Sequence, residues 1–184
     1  MRYENGKYYH VYNRGASKQI IFLNDENYRF CFQLFQKYST QYNVSIIAYC
    51  LMPNHYHFSL LQNDDGSISK CIQTVFNSYT QAFNNISKHS GTLFQGRANG
   101  IEVKDDEYAV RLCRYIHCNP VAARLVTKPE NWKHSDYLEW IGLRKGNATN
   151  FILRDGYFGN AEAYKKYIEE YGEDDGINQY LFDE

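Results

Sequence analysis

The chain has 184 residues, with 20 Lys plus Arg against 21 Asp plus Glu, a formal charge of −1 and 43% apolar residues. This composition predicts one ordinary folded domain and excludes a disordered or fibrous protein. No apolar run approaches the roughly 20 residues of a membrane span, and the first residues lack the hydrophobic region of a secretory signal. A cytoplasmic protein that does not enter a membrane is therefore expected.

The charge is unevenly distributed along the chain. Residues 169–184 contain seven acidic side chains and neither Lys nor Arg, so residues 1–168 carry a formal charge of +6. A mildly basic body is compatible with a nucleic-acid partner, whereas an acidic terminal run is most often a solvated tail. The chain also has 18 tyrosines, far more than its core requires, and tyrosine can stack on bases or act as a nucleophile.

Strands and helices alternate along the first two thirds of the chain. Strands are predicted at 8–14, 44–51, 55–61 and 101–104, and helices at 25–42, at 68–88 and from 105 to a stop at Pro120. This order is the ferredoxin-like split βαβ pattern with one additional helix, so the predicted fold class is α+β with an antiparallel sheet. Beyond about Val126 the pattern weakens into a loop, one more helix at 161–171 and the acidic tail.

The third predicted strand contains two histidines two residues apart. In HYHFSL the odd positions are polar and the even positions apolar, so a period of two sends the side chains of His55 and His57 to one face. Two converging neutral imidazoles can bind a divalent metal. Without a third ligand the same pair also fits ordinary hydrogen bonding at a sheet surface.

The last helix of this series aligns three polar side chains. A spacing of four residues places Arg111, Tyr115 and Asn119 about one turn apart on one helix face. Next to them runs an apolar stripe that would dock the helix on the sheet, formed by Ala109, Leu112, Cys113 and Ile116. A tyrosine at the edge of such a stripe is more often a packing residue than a nucleophile, so spacing alone does not assign its role.

Four ordered motifs resemble a known family. YHVYNRG (9–15), LMPNHYHFSL (51–60), SGTLFQGR (90–97) and YIHCNPV (115–121) are similar, in order and spacing, to motifs of the REP-associated tyrosine transposases. These belong to the single-tyrosine HUH (IS200-like) transposases, where HUH denotes His-hydrophobe-His. The resemblance spans about residues 8–140. It implies a ferredoxin-like nuclease core that cuts and rejoins single-stranded DNA, usually beside a hairpin.

The resemblance also implies catalytic roles for individual residues. His55 and His57 would be ligands of Mg²⁺ or Mn²⁺, and Asn119 would be the third ligand. Tyr115 would be the nucleophile that forms a 5′-phosphotyrosine. Such a metal polarises the phosphoryl oxygens and helps to align the leaving group.

The same family motifs contain four residues expected to contact the DNA: His10, Asn13, Arg14 and Arg97. For the two arginines, phosphate contact and a structural role are both open. The implied division is a catalytic domain over residues 1–128 and a C-terminal extension with the acidic tail over 129–184. Both a monomer and a homodimer occur among relatives, so either is compatible with the resemblance.

Two other functions fit parts of the pattern. A sheet rich in aromatic residues also occurs in RNA-recognition domains, so a non-catalytic single-stranded nucleic-acid-binding module is the alternative. For the transposase itself, aromatic residues near the first strand are expected to be available for stacking on the bases of single-stranded DNA: Tyr8, Tyr9 and Tyr12. A metal hydrolase that uses water would make Tyr115 dispensable. The strand histidines and Asn119 favour the transposase, because a stacking module does not need them.

Overall fold

The computed structural model describes residues 2–88 and 91–170. Its strands are β1 (Tyr8–Arg14), β2 (Val44–Met52), β3 (His55–Gln62) and β4 (Asn99–Val103). Its α-helices are α1 (Asp25–Gln41), α2 (Ile68–Ser87), α3 (Asp106–Ala122), α4 (Tyr137–Trp140), α5 (Ile152–Phe158) and α6 (Ala161–Glu170). None of the helices in these two ranges combines the length and the apolar character that crossing a membrane requires.

The four strands form one antiparallel sheet in the order β2-β3-β1-β4. One helix connects β1 to β2 and another connects β3 to β4, which is the predicted ferredoxin-like arrangement and confirms the fold class. In the β1–β3 register, Tyr12 lies opposite His57 and Arg14 lies opposite His55. The sheet therefore brings two motifs that are about 40 residues apart in sequence side by side.

Helices cover both faces of the sheet. The even residues of β3, among them Tyr56 and Phe58, are fully buried in the core that α1 and α2 form on one face. Tyr9 belongs to the same core and is 0% exposed, so the prediction that it is available for base stacking is wrong. Tyr12 is 9% exposed, and Tyr8 packs at the edge of the second core, beneath α3. The sheet thus offers no open aromatic platform within the described residues.

Helix α3 begins at its predicted cap and ends later than predicted. The carboxylate of Asp105 accepts a hydrogen bond at 2.7 Å from the backbone N–H three residues further on. The helix continues past Pro120 to Ala122, so the predicted stop is wrong. Proline removes only its own N–H from the helical ladder, and the following turn is closed by the N–H of Ala123, which donates to the C=O of Asn119 at 2.9 Å.

The segment after residue 126 contains helices where a loop was predicted. Helices α4 and α5 have four and seven residues and no side-chain cap, so they are too short to show a helical period in the sequence. Trp140, placed in a loop by the sequence, is fully buried, and its Nε1–H donates to the C=O of Ile47 on β2 at 3.0 Å. The predicted end of the last helix at Tyr171 and the acidic tail beyond it lie outside the described residues.

A buried polar network ties this C-terminal segment to α3. His117 is 0% exposed; its Nδ1 lies 2.7 Å from the Tyr164 hydroxyl, and its Nε2 lies 3.0 Å from Oδ1 of Asp136. The Asp136 carboxylate also accepts hydrogen bonds from the backbone N–H of Tyr49 at 2.8 Å and from the Thr149 hydroxyl at 2.9 Å. One carboxylate therefore joins β2, α3 and the C-terminal segment.

Replacing Asp136 by Ala is expected to lower the free energy of unfolding by about 3–5 kcal/mol, because three groups, two of them buried, lose their acceptor together. Thr149→Val is the matched control: it removes one of the three bonds and should cost about 1 kcal/mol. Urea denaturation, monitored by tryptophan fluorescence, measures the free energy of unfolding of both variants. A loss below 1 kcal/mol for Asp136→Ala would show that the network does not hold the C-terminal segment.

Candidate active site

A cleft of about 310 Å³ opens where β1 and β3 meet the C-terminal half of α3. Five of the eight site residues predicted from the sequence line it: Asn13, Arg14, His55, His57 and Tyr115. Of the other three, Asn119 contacts His55, whereas His10 lies beneath His57. Arg97 is exposed in the connection before β4 and does not line the cleft.

His55 has an amide oxygen on each side of its ring. Its Nδ1 lies 2.7 Å from Oδ1 of Asn54, and its Nε2 lies 3.2 Å from Oδ1 of Asn119. A neutral imidazole has one N–H, and with that proton on Nδ1, in the shorter contact to Asn54, a lone pair on Nε2 faces the oxygen of Asn119. A cation shared by these two atoms would remove the repulsion between them.

Next to His55, the imidazoles of His10 and His57 form a buried, neutral pair. The rings of His55 and His57 have centroids 5.1 Å apart, as expected for side chains on one face of β3. Nδ1 of His57 lies 2.9 Å from Nε2 of His10. Burial lowers the pKa of His10 to about 3, and burial together with the adjacent histidines lowers the pKa of His57 well below its usual value. Neutral imidazole is the form that binds a metal.

Tyr115 stands against this pair. Its ring lies edge-on to His57, with centroids 5.3 Å apart, and its centroid is 6.1 Å from that of His10. The apolar stripe predicted for α3 fixes this position, because its four members are all 0% exposed against the sheet: Ala109, Leu112, Cys113 and Ile116. Tyr115 itself is half-buried at the edge of the stripe and lines the cleft.

The β1 motif contributes contacts that shape the cleft. Nδ2 of Asn13 donates to the C=O of Gly96 at 3.1 Å, and Oδ1 of Asn13 accepts the backbone N–H of Arg14 at 2.9 Å. Nε of Arg14 donates to Oε1 of Gln95 at 2.5 Å. These bonds hold the segment before β4 against the end of β1. His10 is only 1% exposed, so this conformation gives it no surface for a DNA contact.

Two residues of the site were not singled out in the sequence. Asn54 lies in the turn between β2 and β3, directly before His55, where its side chain can orient that ring. Lys18 lines the cleft from a left-handed backbone conformation, with φ of 59°, in the turn after β1. No periodic pattern marks such a turn, so sequence spacing gives no signal for Lys18.

The residues present fit a divalent cation. The contact with His10 occupies Nδ1 of His57, which leaves Nε2 as the nitrogen able to coordinate, beside Nε2 of His55 and Oδ1 of Asn119. Between residues 2 and 170, with 89 and 90 left aside, no three His, Cys, Asp or Glu side chains form a metal-binding group on their own. A cation here would therefore depend on the two imidazoles and the Asn119 amide.

Comparison with known proteins identifies a family and a shared fold. Residues 4–119 match the sequence model of the family described as IS200-like transposases. A REP-associated tyrosine transposase bound to a REP hairpin superposes with a TM-score of 0.64 at 18% identity, over 83% of this chain and 93% of that chain. A candidate transposase from Deinococcus radiodurans gives a TM-score of 0.45 at 18% identity, over 63% of this chain and 95% of that chain.

A search of curated proteins finds no match. The superposition at a TM-score of 0.64 shows a shared fold, which agrees with the strand order described above. The family match covers more than half of the 184 residues and includes both strand histidines, Tyr115 and Asn119. The chain therefore belongs to the IS200-like transposase family.

Proposed function

We propose that this transposase cuts and rejoins single-stranded DNA beside hairpins, through a covalent 5′-phosphotyrosine on Tyr115 and with the help of Mg²⁺ or Mn²⁺. The observation that carries the proposal is the meeting of three groups in one cleft. A half-buried phenol lies 5.3 Å, centroid to centroid, from the neutral ring of His57, beside the contact between His55 and Asn119. A nucleophile next to a cation site is the arrangement that phosphodiester cleavage requires.

The cleavage step forms one bond and breaks one. The Tyr115 hydroxyl oxygen attacks the phosphorus and gives up its proton, so that a tyrosine O–P bond forms as the P–O3′ bond breaks. The departing oxygen takes up a proton and becomes a free 3′-hydroxyl, while the phosphate stays on the 5′ end and on Tyr115. Attack by a new 3′-hydroxyl on the same phosphorus reverses the exchange, and no ATP is needed because one phosphoester replaces another.

A divalent cation held by His55, His57 and Asn119 would polarise the phosphoryl oxygens and help to align the leaving group. The chain's own residues orient the site. Asn54 holds the ring of His55 through the 2.7 Å contact to Nδ1. Arg14 and Lys18 line the same cleft and supply positive charge where a DNA phosphate would enter.

The proposed partner is a DNA strand carrying a hairpin, as in the REP-associated transposase of similar fold, which was solved bound to a REP hairpin. Asn13 lines the cleft and binds the C=O of Gly96, which directly precedes the exposed Arg97, so both residues would contact or shape the path of the strand. We place the reaction in the cytoplasm and expect the active protein to be a monomer or a homodimer. A pure stacking module is less well supported, because helices cover both faces of the sheet.

We expect single-stranded DNA next to a hairpin to be cut, and fully paired DNA of the same sequence to react about 100-fold more slowly or not at all. The scissile phosphate must enter a narrow cleft with its neighbouring nucleotides splayed, which stacked duplex resists at about a few kcal/mol per step. The measurement uses end-labelled DNA with Mn²⁺ and denaturing electrophoresis, in which a covalent protein–DNA band marks the intermediate. Equal cutting of both forms at matched salt and metal would instead indicate an ordinary metal-dependent nuclease.

A further inference from the structure

His10 and His57 form a buried contact that the cleavage chemistry above does not use. Nε2 of His10, on β1, lies 2.9 Å from Nδ1 of His57 on β3. His10 is 1% exposed, and its other nitrogen, Nδ1, is buried without a hydrogen-bond partner among the described residues. A buried polar atom without a partner is unfavourable, so this arrangement calls for a role.

Two neutral imidazoles share two ring protons, and the contact between them holds one. The second proton has two places to go. On Nε2 of His57 it would point an N–H at the cation site and block coordination. On Nδ1 of His10 it would leave the lone pair of His57 Nε2 available. The position of this proton therefore decides whether His57 can be a ligand.

The surroundings of His10 offer an acceptor for that proton. Ser59 lies directly opposite His10 in the β1–β3 register, so the two side chains share one face of the sheet. Apart from a weak contact with the Cys113 thiol, the buried Oγ of Ser59 has no hydrogen-bond partner among the described residues. The two groups thus face each other across the strand pair without a hydrogen bond between them, and a rotation of the Ser59 side chain would bring its oxygen to a proton on Nδ1 of His10.

We propose that His10 is a positioning residue: it accepts the Nδ1–H of His57, holds the second proton on its own Nδ1 next to Ser59, and so keeps Nε2 of His57 ready for a divalent cation. This inference rests on the proposed metal-assisted function. It gives His10 a role inside the protein in place of the DNA contact expected from its motif. A second ring nitrogen engaged in this way is common for histidine ligands and usually contributes 10- to 100-fold to metal affinity.

The first test measures the binding of Mn²⁺ to the DNA-free protein by electron paramagnetic resonance. His10→Phe keeps a ring in place but removes the acceptor, so the Kd for Mn²⁺ should rise by about 10- to 100-fold. His10→Gln places an amide oxygen near the position of Nε2 and should restore the Kd to within about threefold of wild type. His134→Gln removes a histidine that stacks on Tyr28 outside the cleft, and should leave the Kd unchanged.

The second test reads the proton positions by two-bond ¹H–¹⁵N correlation spectra of the histidine rings in metal-free protein. Wild type and His10→Gln should show His57 protonated at Nδ1 and bare at Nε2. A His57 protonated at Nε2 in wild type would overturn the proposal, and this measurement needs no variant to fold. An unchanged Mn²⁺ affinity in a folded His10→Phe protein would also overturn the proposal.

The outcomes separate this inference from the function on which it rests. If wild type binds Mn²⁺ and forms the DNA adduct while His10→Phe binds equally well, only the role of His10 is overturned. If wild type does not bind Mn²⁺ at all, the metal-assisted function fails and the role of His10 fails with it.

Discussion

Tyr115→Phe is expected to abolish the covalent protein–DNA adduct and to lower the rate of cleavage by about 10³-fold or more. The reason is that the variant lacks the hydroxyl oxygen that the proposed step attaches to phosphorus. The ring and its edge-on packing against His57 are retained, so folding and hairpin binding should persist. Denaturing electrophoresis of a labelled hairpin strand with Mn²⁺ measures the adduct, and a gel shift without metal measures binding.

Tyr79→Phe is a suitable control for this experiment. Tyr79 is 1% exposed, and its hydroxyl donates to the C=O of Ile21 within the α1–α2 core, away from the cleft. Its removal should reduce stability without removing the adduct. An adduct that survives in Tyr115→Phe would assign the nucleophile to another tyrosine, and cleavage without any adduct would favour hydrolysis by water.

The double variant His55→Ala/His57→Ala is expected to lose cleavage together with its dependence on Mg²⁺ or Mn²⁺. The two imidazoles supply both nitrogen ligands of the proposed cation, and the Asn119 amide alone holds a divalent ion weakly. Cleavage assays across a metal titration, with His134→Ala as the matched control, measure the effect. Cutting by wild type in EDTA at the rate found with metal would contradict the metal assignment.

The features of the site that sequence patterns predicted are those that arise within a single strand or a single helix. Alternation within β3 places His55 and His57 on one face whatever the strand pairs with, and a spacing of four in α3 aligns Tyr115 with Asn119. In the structure the two rings have centroids 5.1 Å apart, and Asn119 reaches His55. The shared faces follow from backbone geometry within each element, whereas the meeting of Asn119 with His55 depends on how α3 packs on β3 and was implied only by the family resemblance.

Contacts that depend on strand register could not be predicted in this way. The bond between His10 and His57 exists because β1 pairs with β3 so that Tyr12 faces His57 and His10 faces Ser59. A shift of one residue would have sent His10 to the opposite face. The burial of Tyr9 has a related cause, since a strand in the middle of a doubly covered sheet buries both of its faces.

Elements without a period were also missed. Helices α4 and α5 span four and seven residues, which is too short for an apolar stripe to repeat. Their stability comes from tertiary contacts such as the bond from Trp140 to β2. At Pro120 the error was the opposite one, since a helix end was predicted where the helix continues. Proline disfavours a helix interior, but this local preference did not end α3.

The anchoring of α3 by His117 limits how this transposase unit can be moved between proteins. The family match ends at residue 119, yet the surface of α3 behind Tyr115 is completed by Asp136 and Tyr164, which come later in the chain. A gene rearrangement that carried only the matched portion would expose that surface and leave buried polar groups unpaired. The smallest portable module therefore extends at least through α6.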